Sequence, residues 1–592
     1  MLLVTMAIAA ACSSGDDAWD DWTDNTTDNG QGTTGDGGGT TSASYSEMTT
    51  FAIAIDKTTA EPTSTTSAMY PEASDAPSEN TFATIVNIDM SNPVDPAIDG
   101  VTLTISGHHV TANHGSTDGI CYVVTGTTTD GSLTIEGKTN YELNLNNAQI
   151  TNPASVAIDL ESKYNAYVVL TGSNVLTDGT TADDGHKGTL FCKGKLLFSG
   201  DGSLEVYGTY NNGIHGKSNI VIDKGVNIYV NSSANHGIKA GDDMYINGGI
   251  INVEVSAAGA KGINSDVDIT INGGRTTVIS TANGTWDDEE LETKASAGIK
   301  CDSIFTLNDG EIYVKATGSG GKGLKADWEA YINGGKIRAI TQGGLYYSNG
   351  STENHNYTGN TDNLDDAYTS SPKGIKVGTK NEHGVLYITG GDIMVRTSGN
   401  NAEGIESKGT LDITDGTVLV YAHDDAINSS GDLTISGGTV VAVGTNNDAI
   451  DANGNMYLKG GTIIACGASG AETGIDIDES HKLYITGGNI FGIGGRVDAN
   501  LGSTTQGIIT ATGSVTANGS VTISSGSSTL YTFTMPPISY NNGTMIVSTP
   551  KLTSGSSYTL TSGSSSQSVT ASNTISGGNS GGPGGGGPGG RW

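Results

Sequence analysis

The chain has 592 residues, 88 of them glycine, but its glycines do not follow the three-residue period of collagen. Its 63 acidic residues outnumber 28 basic residues, giving a net charge of −35. This balance argues against a nucleic-acid partner, because contacts to phosphates require clustered Lys and Arg. It is compatible with cation binding or with ordinary solubility. Apolar residues occur in short alternating runs rather than helical stripes, which predicts an all-β fold.

The N-terminus has the features of an export signal. Residues 1–11 are apolar, too short to span a bilayer, and end in small residues before Cys12. This segment resembles a bacterial lipoprotein signal peptide, which implies that Cys12 is acylated and anchors the chain in a membrane. The acidic residues that follow resemble the tag that sends some Gram-negative lipoproteins to the outer face of the outer membrane. We expect that location, with secretion after cleavage of an ordinary signal as the alternative.

The segments around the body differ in composition. Residues 12–44 are rich in Asp, Thr, Gly and Asn and predict a disordered tether. Residues 45–99 contain short apolar runs between prolines and predict an N-terminal β cap. Residues 501–570 contain Ser/Thr-rich alternating strands and predict a C-terminal β cap that protects the last edge. Residues 571–592 predict a disordered Gly/Pro tail.

Residues 100–500 contain an internal repeat with two elements. The first is a small residue, then Ile or Leu, then a polar residue, as in Gly237-Ile238-Lys239, and several of its steps are 22 to 25 residues. The second is a strand closed by Gly-Gly or Asp-Gly and followed by another strand. A unit of this length cannot bury its own apolar face, so successive units must stack. The repeat therefore predicts a right-handed parallel β-helix rather than a β-sandwich, whose strands would be irregular.

Two long steps interrupt the period. The step from Gly262 to Gly298 is 36 residues and the step from Gly323 to Gly374 is 51 residues. The additional residues predict loops near 283–296 and 343–372 on one corner of the solenoid, where insertions and functional residues are usually found.

The order of these motifs resembles a known family of surface β-helix proteins. The similarity is carried by Tyr141–Asn147, Val168–Gly179, the Gly-Ile and Gly-Gly coils, and Leu552–Leu560, and it covers roughly residues 85 to 565. The chain is similar to the carbohydrate-binding domain-containing proteins. The resemblance implies binding of cellulose-like and pectic acid chains, and calcium held in the helix.

Residues in the same phase of the repeat should form columns, because stacked coils lie about 4.8 Å apart. Two columns flank the Gly-Ile element, and both change from basic to acidic between Lys376 and Glu403. The column before the element contains Asn212, His236, Lys261, Ala297, Lys322, Lys373, Glu403, Asp425, Asp448 and Thr473. The column after it contains His215, Lys239, Asn264, Lys300, Lys325, Lys376, Glu406, Asn428, Asp451 and Asp476.

The acidic halves of the columns predict calcium between coils. Stacked carboxylates repel by about 1 kcal/mol or more unless a cation or protons intervene, and Ca²⁺ accepts six to eight oxygen ligands in flexible geometry. A solvated acidic corner is the alternative. The predicted ligands are Glu403, Glu406, Asp424, Asp425, Asp448, Asp451, Asp476 and Asp478.

The basic halves of the columns and the insertions supply candidate polysaccharide ligands. Ammonium groups in a line suit the carboxylates of an acidic polysaccharide, and flat aromatic rings suit the apolar faces of sugars. The alternatives are that each Lys pairs with a neighbouring acid and that the aromatic rings pack their own loops. The candidates are Lys322, Lys325, Lys373, Lys376, Trp286, Tyr346, Tyr347, Tyr357 and Tyr368.

Pectate lyases and polygalacturonases share this architecture, so an enzyme is a further alternative. Asp362, Asp365 and His383 faintly resemble polygalacturonase residues, but they crowd near one loop instead of facing each other from different coils. We therefore expect a monomeric, non-catalytic protein that binds polysaccharide with calcium at the cell surface. A structural adhesin without specific glycan binding is the second expectation.

Overall fold

The computed structural model describes residues 42–181, 185–348, 368–379 and 383–575. The predicted signal peptide, Cys12, residues 12–41 of the predicted tether, Tyr357, Asp362, Asp365 and residues 576–592 of the predicted tail lie outside the described residues. The described chain is nearly all-β, with 3% helix, and its parallel stacked coils form a solenoid of about 15 turns. The predicted all-β parallel β-helix is confirmed.

Each coil contributes strands to three faces. Face 1 contains Thr84–Asp89, Ile120–Thr128, Tyr141–Thr151, Ala166–Thr171, Leu196–Gly200, Ile220–Ile222, Met244–Ile246, Ile269–Ile271, Ile304–Leu307, Glu329–Ile332, Val385–Ile388, Thr410–Ile413, Leu433–Ile435, Met456–Cys466, Leu483–Gly494 and Leu501–Thr504. The longest of these strands bend at a corner and continue onto face 2. Face 2 otherwise contains Ser173–Thr177, Ser203–Gly208, Asn227–Ser232, Ile250–Val255, Arg275–Ser280, Glu311–Ala316, Lys336–Thr341, Asp392–Thr397, Thr417–Ala422, Thr439–Gly444, Ile508–Val515 and Tyr540–Ser548.

Face 3 carries the Gly-Ile elements of the repeat. Its strands are Thr102–Ser106, His108–Asn113, Gly131–Glu136, Ile158–Leu160, Gly188–Cys192, Asn212–Gly216, Ile238–Ala240, Lys261–Ser265, Ala297–Cys301, Lys322–Ala326, Lys373–Val377, Glu403–Ser407, Ile427–Ser429, Ile450–Ala452, Thr473–Ile477 and Arg496–Asp498. The central Ile or Leu of each element points into the solenoid, as Ile263 and Ile299 do with no exposed surface. One continuous apolar core therefore fills the interior.

Residues 45–99 do not form the predicted β cap. A helix spans Ser42–Thr50, and its Tyr45 and Met48 are buried against the outside of face 2. Two short 3₁₀ helices follow, Ala73–Asp75 and Pro77–Glu79. Thr84–Asp89 belongs to the solenoid itself, because Val86 and Ile88 point inward and stack on the next coil.

Between the helix and this first strand, residues 51–83 lie on the outside of the solenoid, and we call them the strap. Glu61 of the strap accepts backbone hydrogen bonds from Gly225 at 2.8 Å and Gly249 at 2.7 Å. Tyr70 donates its hydroxyl to Asp223 at 2.9 Å. The prolines of this segment exclude central strand pairing, which explains why it binds through side chains instead.

The C-terminal region is antiparallel. Ile508–Val515 and Tyr540–Ser548 extend face 2, and a separate sheet contains Ser520–Ser525, Ser528–Thr534, Ser557–Ser562 and Ser565–Thr570. Two residues assigned by sequence to the disordered tail belong to this region, because Ala571 is 1% exposed and Ser572 pairs with Ile508. Among the described residues, no helix has the length and apolar character needed to cross a membrane.

The glycine of the Gly-Ile element is required by close packing inside the coil. A Cβ at Gly262 would lie 2.1 Å from Val278 Cγ1 and 2.8 Å from the carbonyl oxygen of Gly298. The same conflict with a face 2 valine recurs at Gly237, Gly298, Gly374 and Gly404, with distances of 2.0 to 2.2 Å.

Where the element has Ala instead of Gly, the valine is also replaced. Ala426 and Ala449 stand in the Gly column, and the valine column continues from Val420 to Ala442 and Ala465. The two columns therefore keep their combined volume nearly constant, as expected for a close-packed interior.

We predict that Gly262→Ala lowers the free energy of unfolding by about 1–3 kcal/mol, because the added methyl group overpacks the core. Val278→Ala removes the facing methyl groups, so the double variant should be less destabilised than the sum of the two single variants by about 1 kcal/mol or more. Urea unfolding followed by circular dichroism measures each variant.

Gly262→Ala combined with Val314→Ala is the matched control, because Val314 faces Gly298 instead of Gly262. The effects in this control pair should add. Equal additivity in both pairs would contradict the packing explanation.

Candidate functional site

The basic and acidic columns predicted on face 3 are present. The register places Lys322 beside Lys373 and Lys373 beside Glu403, and it places Lys376 beside Glu406. Asp451 lies beside Asn428 and Asp476. The change from basic to acidic side chains therefore occurs between two directly stacked coils.

The predicted polysaccharide-binding lysines are engaged within the protein. Lys322 is 3% exposed, and its ammonium group binds Ser370 Oγ at 2.8 Å and the carbonyl oxygens of Gly320 and Ser371. Burial, together with the neighbouring lysines, holds the pKa of Lys322 well below its usual range. Lys325 binds Asp327 at 2.6 Å.

Lys373 and Lys376 face the first acidic coil. Lys373 is 3% exposed and is paired with Glu403, and it lies 3.6 Å from Glu406. Lys376 lies 3.5 Å from Glu406. Because Lys322 and Lys373 are buried and bound within the protein, they are less accessible to a polysaccharide than the sequence predicts.

Glu403 and Glu406 are predicted calcium ligands that form a compact ion-pair cluster. Glu406 is 2% exposed and also pairs with Lys408 at 2.5 Å. Its pKa is held well below the usual range because three lysines lie around it, although burial opposes the shift. Lysines already neutralise the negative charge of these two carboxylates, so a calcium ion would gain less by binding them.

In the next coils the same two columns carry Asp425, Asp448, Asp451 and Asp476, and no lysine follows Lys376 in either column. Asp448 donates its backbone N–H to Asp425 Oδ1 at 3.0 Å, and Asp448 Oδ1 accepts the N–H of Thr473 at 2.5 Å. Burial raises the pKa of Asp448 to about 7 and that of Asp451 to about 8, and the neighbouring Asp476 adds to both shifts. Burial also raises the pKa of Asp425. We call Asp425, Asp448, Asp451 and Asp476 the acidic cluster.

The other predicted ligands lie in different environments. Asp424 Oδ1 accepts a hydrogen bond from Asn447 at 2.9 Å. Asp478 Oδ1 accepts from the N–H and hydroxyl of Ser480, which lowers its pKa. Among the described residues, no three of the eight predicted ligands place carboxylate oxygens within 4.8 Å of one another.

The two insertions meet beside Lys322. A hairpin of Thr285–Asp287 and Glu292–Lys294 belongs to the first, and the strands Tyr346–Tyr347 and Thr369–Ser370 belong to the second. Trp286 stacks on Tyr368 with ring centroids 4.9 Å apart and an interplanar angle of 7°. Tyr346 and Tyr347 are half-buried. The predicted aromatic residues Trp286 and Tyr368 therefore pack on one another.

A second group of aromatic residues, missed from sequence, lies on the outside of face 1. Tyr331 stacks on Tyr387 with centroids 5.2 Å apart, and Tyr457 stacks on Tyr484 with centroids 4.9 Å apart. The register places all four in one column, with Asp412 and Thr434 on the two coils between the pairs. We call these six residues, four of which are tyrosines, the tyrosine column.

Exposed polar side chains flank the tyrosine column on one side. They occupy the position two residues after each column residue and are Asn333, Thr389, Thr414, Ser436, Lys459 and Thr486. The ammonium group of Lys459 lies 5.1 Å from the centroid of the Tyr457 ring. The sequence does contain a signal for this column, because each of the four tyrosines begins a Tyr-(Ile/Leu)-x-Gly-Gly segment. The insertion between Tyr331 and Tyr387 hides the fact that these segments share one phase of the repeat.

Fold and side chains together define a β-solenoid that carries a stacked aromatic column beside hydrogen-bonding groups. A family model described as carbohydrate-binding domain-containing protein matches residues 106–260, 253–350 and 350–550. The chain belongs to this family, because the matches cover more than half of its length, and the resemblance found from sequence is confirmed.

Among solved structures, the chain is similar to the polysaccharide lyase-like protein from C. thermocellum in its gadolinium derivative. The identity is 20%, the match covers 43% of this chain and 90% of that chain, and the TM-score is 0.31. The comparison with curated proteins gave no match.

The acidic cluster predicts a pH-dependent stability. The folded-state pKa values of Asp448 and Asp451 lie above the value of an aspartate in the unfolded chain. Between about pH 4 and pH 8 the folded protein therefore binds more protons than the unfolded chain does. Stability from these groups is therefore lost as the pH rises through this window. With chelator present, Asp451→Asn should stabilise the protein by about 2 kcal/mol more at pH 8 than at pH 5.

Asn fits this position, because Asn428 occupies the same column one coil earlier. Thermal unfolding at both pH values measures the difference. The control is Asp478→Asn, because the lowered pKa of Asp478 leaves it ionised throughout this range. An equal gain for Asp451→Asn at pH 5 and pH 8 would refute the assignment.

Proposed function

We propose that the protein binds polysaccharide without cleaving it, at the bacterial cell surface and with calcium held by the solenoid. Family membership supports a carbohydrate ligand. The cellulose-like and pectic chains expected from sequence are the proposed ligand classes.

The tyrosine column is the observation that carries this proposal. Aromatic rings stack on the apolar faces of sugars, and neighbouring polar groups fix the orientation of a ligand. The column crosses six coils from Tyr331 to Tyr484, which corresponds to about 24 Å at a coil spacing of about 4.8 Å. An extended chain of several sugars fits along this length, and the flat surface suits a polymer better than a small ligand.

The composition of the column favours binding over hydrolysis. Asp412 is the single carboxylate among its six residues. Glycoside hydrolysis normally requires two carboxyl groups on opposite sides of the bond, about 5–9.5 Å apart. The carboxylate of Glu329, beside the column, accepts a hydrogen bond from the Tyr331 hydroxyl and so holds that ring.

Lys459 favours an acidic polysaccharide among the proposed ligands. Its side chain is exposed, and its ammonium group lies beside the Tyr457 ring. A sugar stacked on Tyr457 would place a carboxylate within reach of this cation, an arrangement available to pectic chains and not to cellulose.

We predict that Tyr387→Ala combined with Tyr457→Ala weakens binding to polygalacturonate about fivefold or more, because stacked rings contribute about 0.5–1.5 kcal/mol each. Affinity electrophoresis and isothermal titration calorimetry measure the loss. Because both rings lie on the outside of the sheet, the melting temperature should change little.

Trp286→Ala combined with Tyr368→Ala is the matched control, since it removes the stacked pair formed between the two insertions. This variant should retain wild-type affinity. If only the Trp286/Tyr368 variant loses binding, the site lies at the two insertions. If the wild-type chain binds no polysaccharide, a structural adhesin is favoured.

The acidic cluster supports the calcium part of the proposal. Asp425, Asp448 and Asp451 lie in adjacent coils, and burial and then repulsion between neighbouring carboxylates raise their pKa values. Carboxylates and backbone carbonyls are suitable calcium ligands. We propose Asp448 and Asp451 as the principal ligands, with Asp424, Asp425 and Asp476 beside them. Glu403, Glu406 and Asp478 have the partners described above and are less available.

We predict that 1 mM calcium raises the melting temperature at pH 8, because a ligand bound only by the folded state stabilises it by about 2.7 kcal/mol at a hundredfold excess over Kd. Chelator should reverse the effect. Asp451→Asn should lose most of the calcium-dependent gain, whereas Asp243→Asn, on face 1, should keep it. A melting temperature that calcium and chelator leave unchanged would contradict the proposed site without affecting the tyrosine column.

A further inference from the structure

A separate group of titratable side chains lies in the first coils. Asp159 belongs to the strand Ile158–Leu160, Glu161 follows that strand directly, and His186 precedes Gly188–Cys192, the next strand on face 3. Because these two strands pair in parallel, stacking brings the three side chains together.

The geometry of this group suits a metal ion. His186 Nε2 lies 3.0 Å from Glu161 Oε1 and 3.6 Å from Asp159 Oδ2. One ligand atom from each of the three residues lies within 4.8 Å of the others. Tetrahedral bonds of about 2.0–2.1 Å place ligand atoms about 3.3 Å apart, so small side-chain movements would complete the site.

A second observation points to a missing ligand. Asp159 is 8% exposed, and its Oδ1 atom is buried without a hydrogen-bond partner among the described residues. An unsatisfied buried carboxylate oxygen is costly, and a cation would compensate it. Lys193 binds Glu161 Oε2, whereas Glu161 Oε1 faces His186.

We propose that Asp159, Glu161 and His186 bind a divalent transition-metal ion of the zinc type, which joins two adjacent coils. An imidazole nitrogen combined with carboxylates favours such an ion over calcium, which prefers oxygen ligands alone. Three protein ligands leave one position of a four-coordinate ion for water. The side chains of His186 and Glu161 are 25% and 23% exposed, so the ion can enter from solvent.

The full-length protein, freed of metal, is titrated with Zn²⁺ by isothermal titration calorimetry and with Co²⁺ by visible absorption. We expect one ion per chain, a cobalt spectrum of low coordination number, and no displacement by a tenfold excess of Ca²⁺. His186→Gln should weaken Zn²⁺ binding at least about tenfold. His109→Gln is the control, because His109 faces a single acid, Asp130, at 3.5 Å.

Lys193→Met should change the Zn²⁺ affinity in the opposite direction to His186→Gln. It keeps all three proposed ligands, so the result cannot be attributed to loss of a ligand. Removing the ammonium group next to Glu161 removes its repulsion of the ion, so Zn²⁺ affinity should rise about tenfold. If His186→Gln binds Zn²⁺ as tightly as the wild type, or if Lys193→Met leaves affinity unchanged, the three residues form only an ion-pair network and the proposal is overturned. Neither outcome bears on polysaccharide binding.

Discussion

Parallel backbone pairing between successive coils determines which side chains of the solenoid body lie beside one another. Each strand of the body is held in register by strands about 4.8 Å away on either side, so a residue type that recurs in one phase contacts its own copies. For polar amides this repetition is favourable. Asn272 donates to Asn247 at 3.1 Å, and Asn308 donates to Asn272 at 2.9 Å. For tyrosine the same repetition produces stacked rings, as in the pair Tyr331 and Tyr387.

For charged residues this repetition is unfavourable, and face 3 relieves it in two ways. On the basic side, lysines lie beside lysines until Lys373 meets Glu403, and burial favours the neutral form of Lys322. On the acidic side the two columns contain no lysine, so Asp448 and Asp451 retain protons more strongly than exposed carboxylates do. The same backbone pairing thus creates an ion-pair cluster around Glu406. Two coils later it places Asp448 and Asp451 where bound protons or a cation would reduce the repulsion between carboxylates.

The sequence was sufficient to predict which residues share a column, because the repeat phase sets the register. It predicted the contact between Lys373 and Glu403 in this way. It could not predict what covers a column, because the second insertion has no repeat of its own. Ser370, at the end of that insertion, binds the buried Lys322 and so removes it from the surface. The strap was also missed, because its contacts are made by isolated side chains such as Glu61 and follow no period.

The strap gives a physical reason to regard the tyrosine column as a binding surface. Tyr167, Leu197, Val221 and Tyr245 precede the tyrosine column in the same phase on face 1, and Tyr70 and Phe82 of the strap pack against them. The outside of face 2 is covered in the same way by the N-terminal helix and the C-terminal strands.

The chain therefore covers the apolar outer surface of its sheets at two places with its own segments. Along face 1, the hydroxyl of Ser64 in the strap reaches the coil of Asn272, and the stacked tyrosines lie further along the solenoid. Exposed aromatic surface is normally retained where it contacts a ligand or partner. Among the described residues, the stacked tyrosines therefore lie beyond the part of face 1 that the strap covers, which supports the binding surface proposed above.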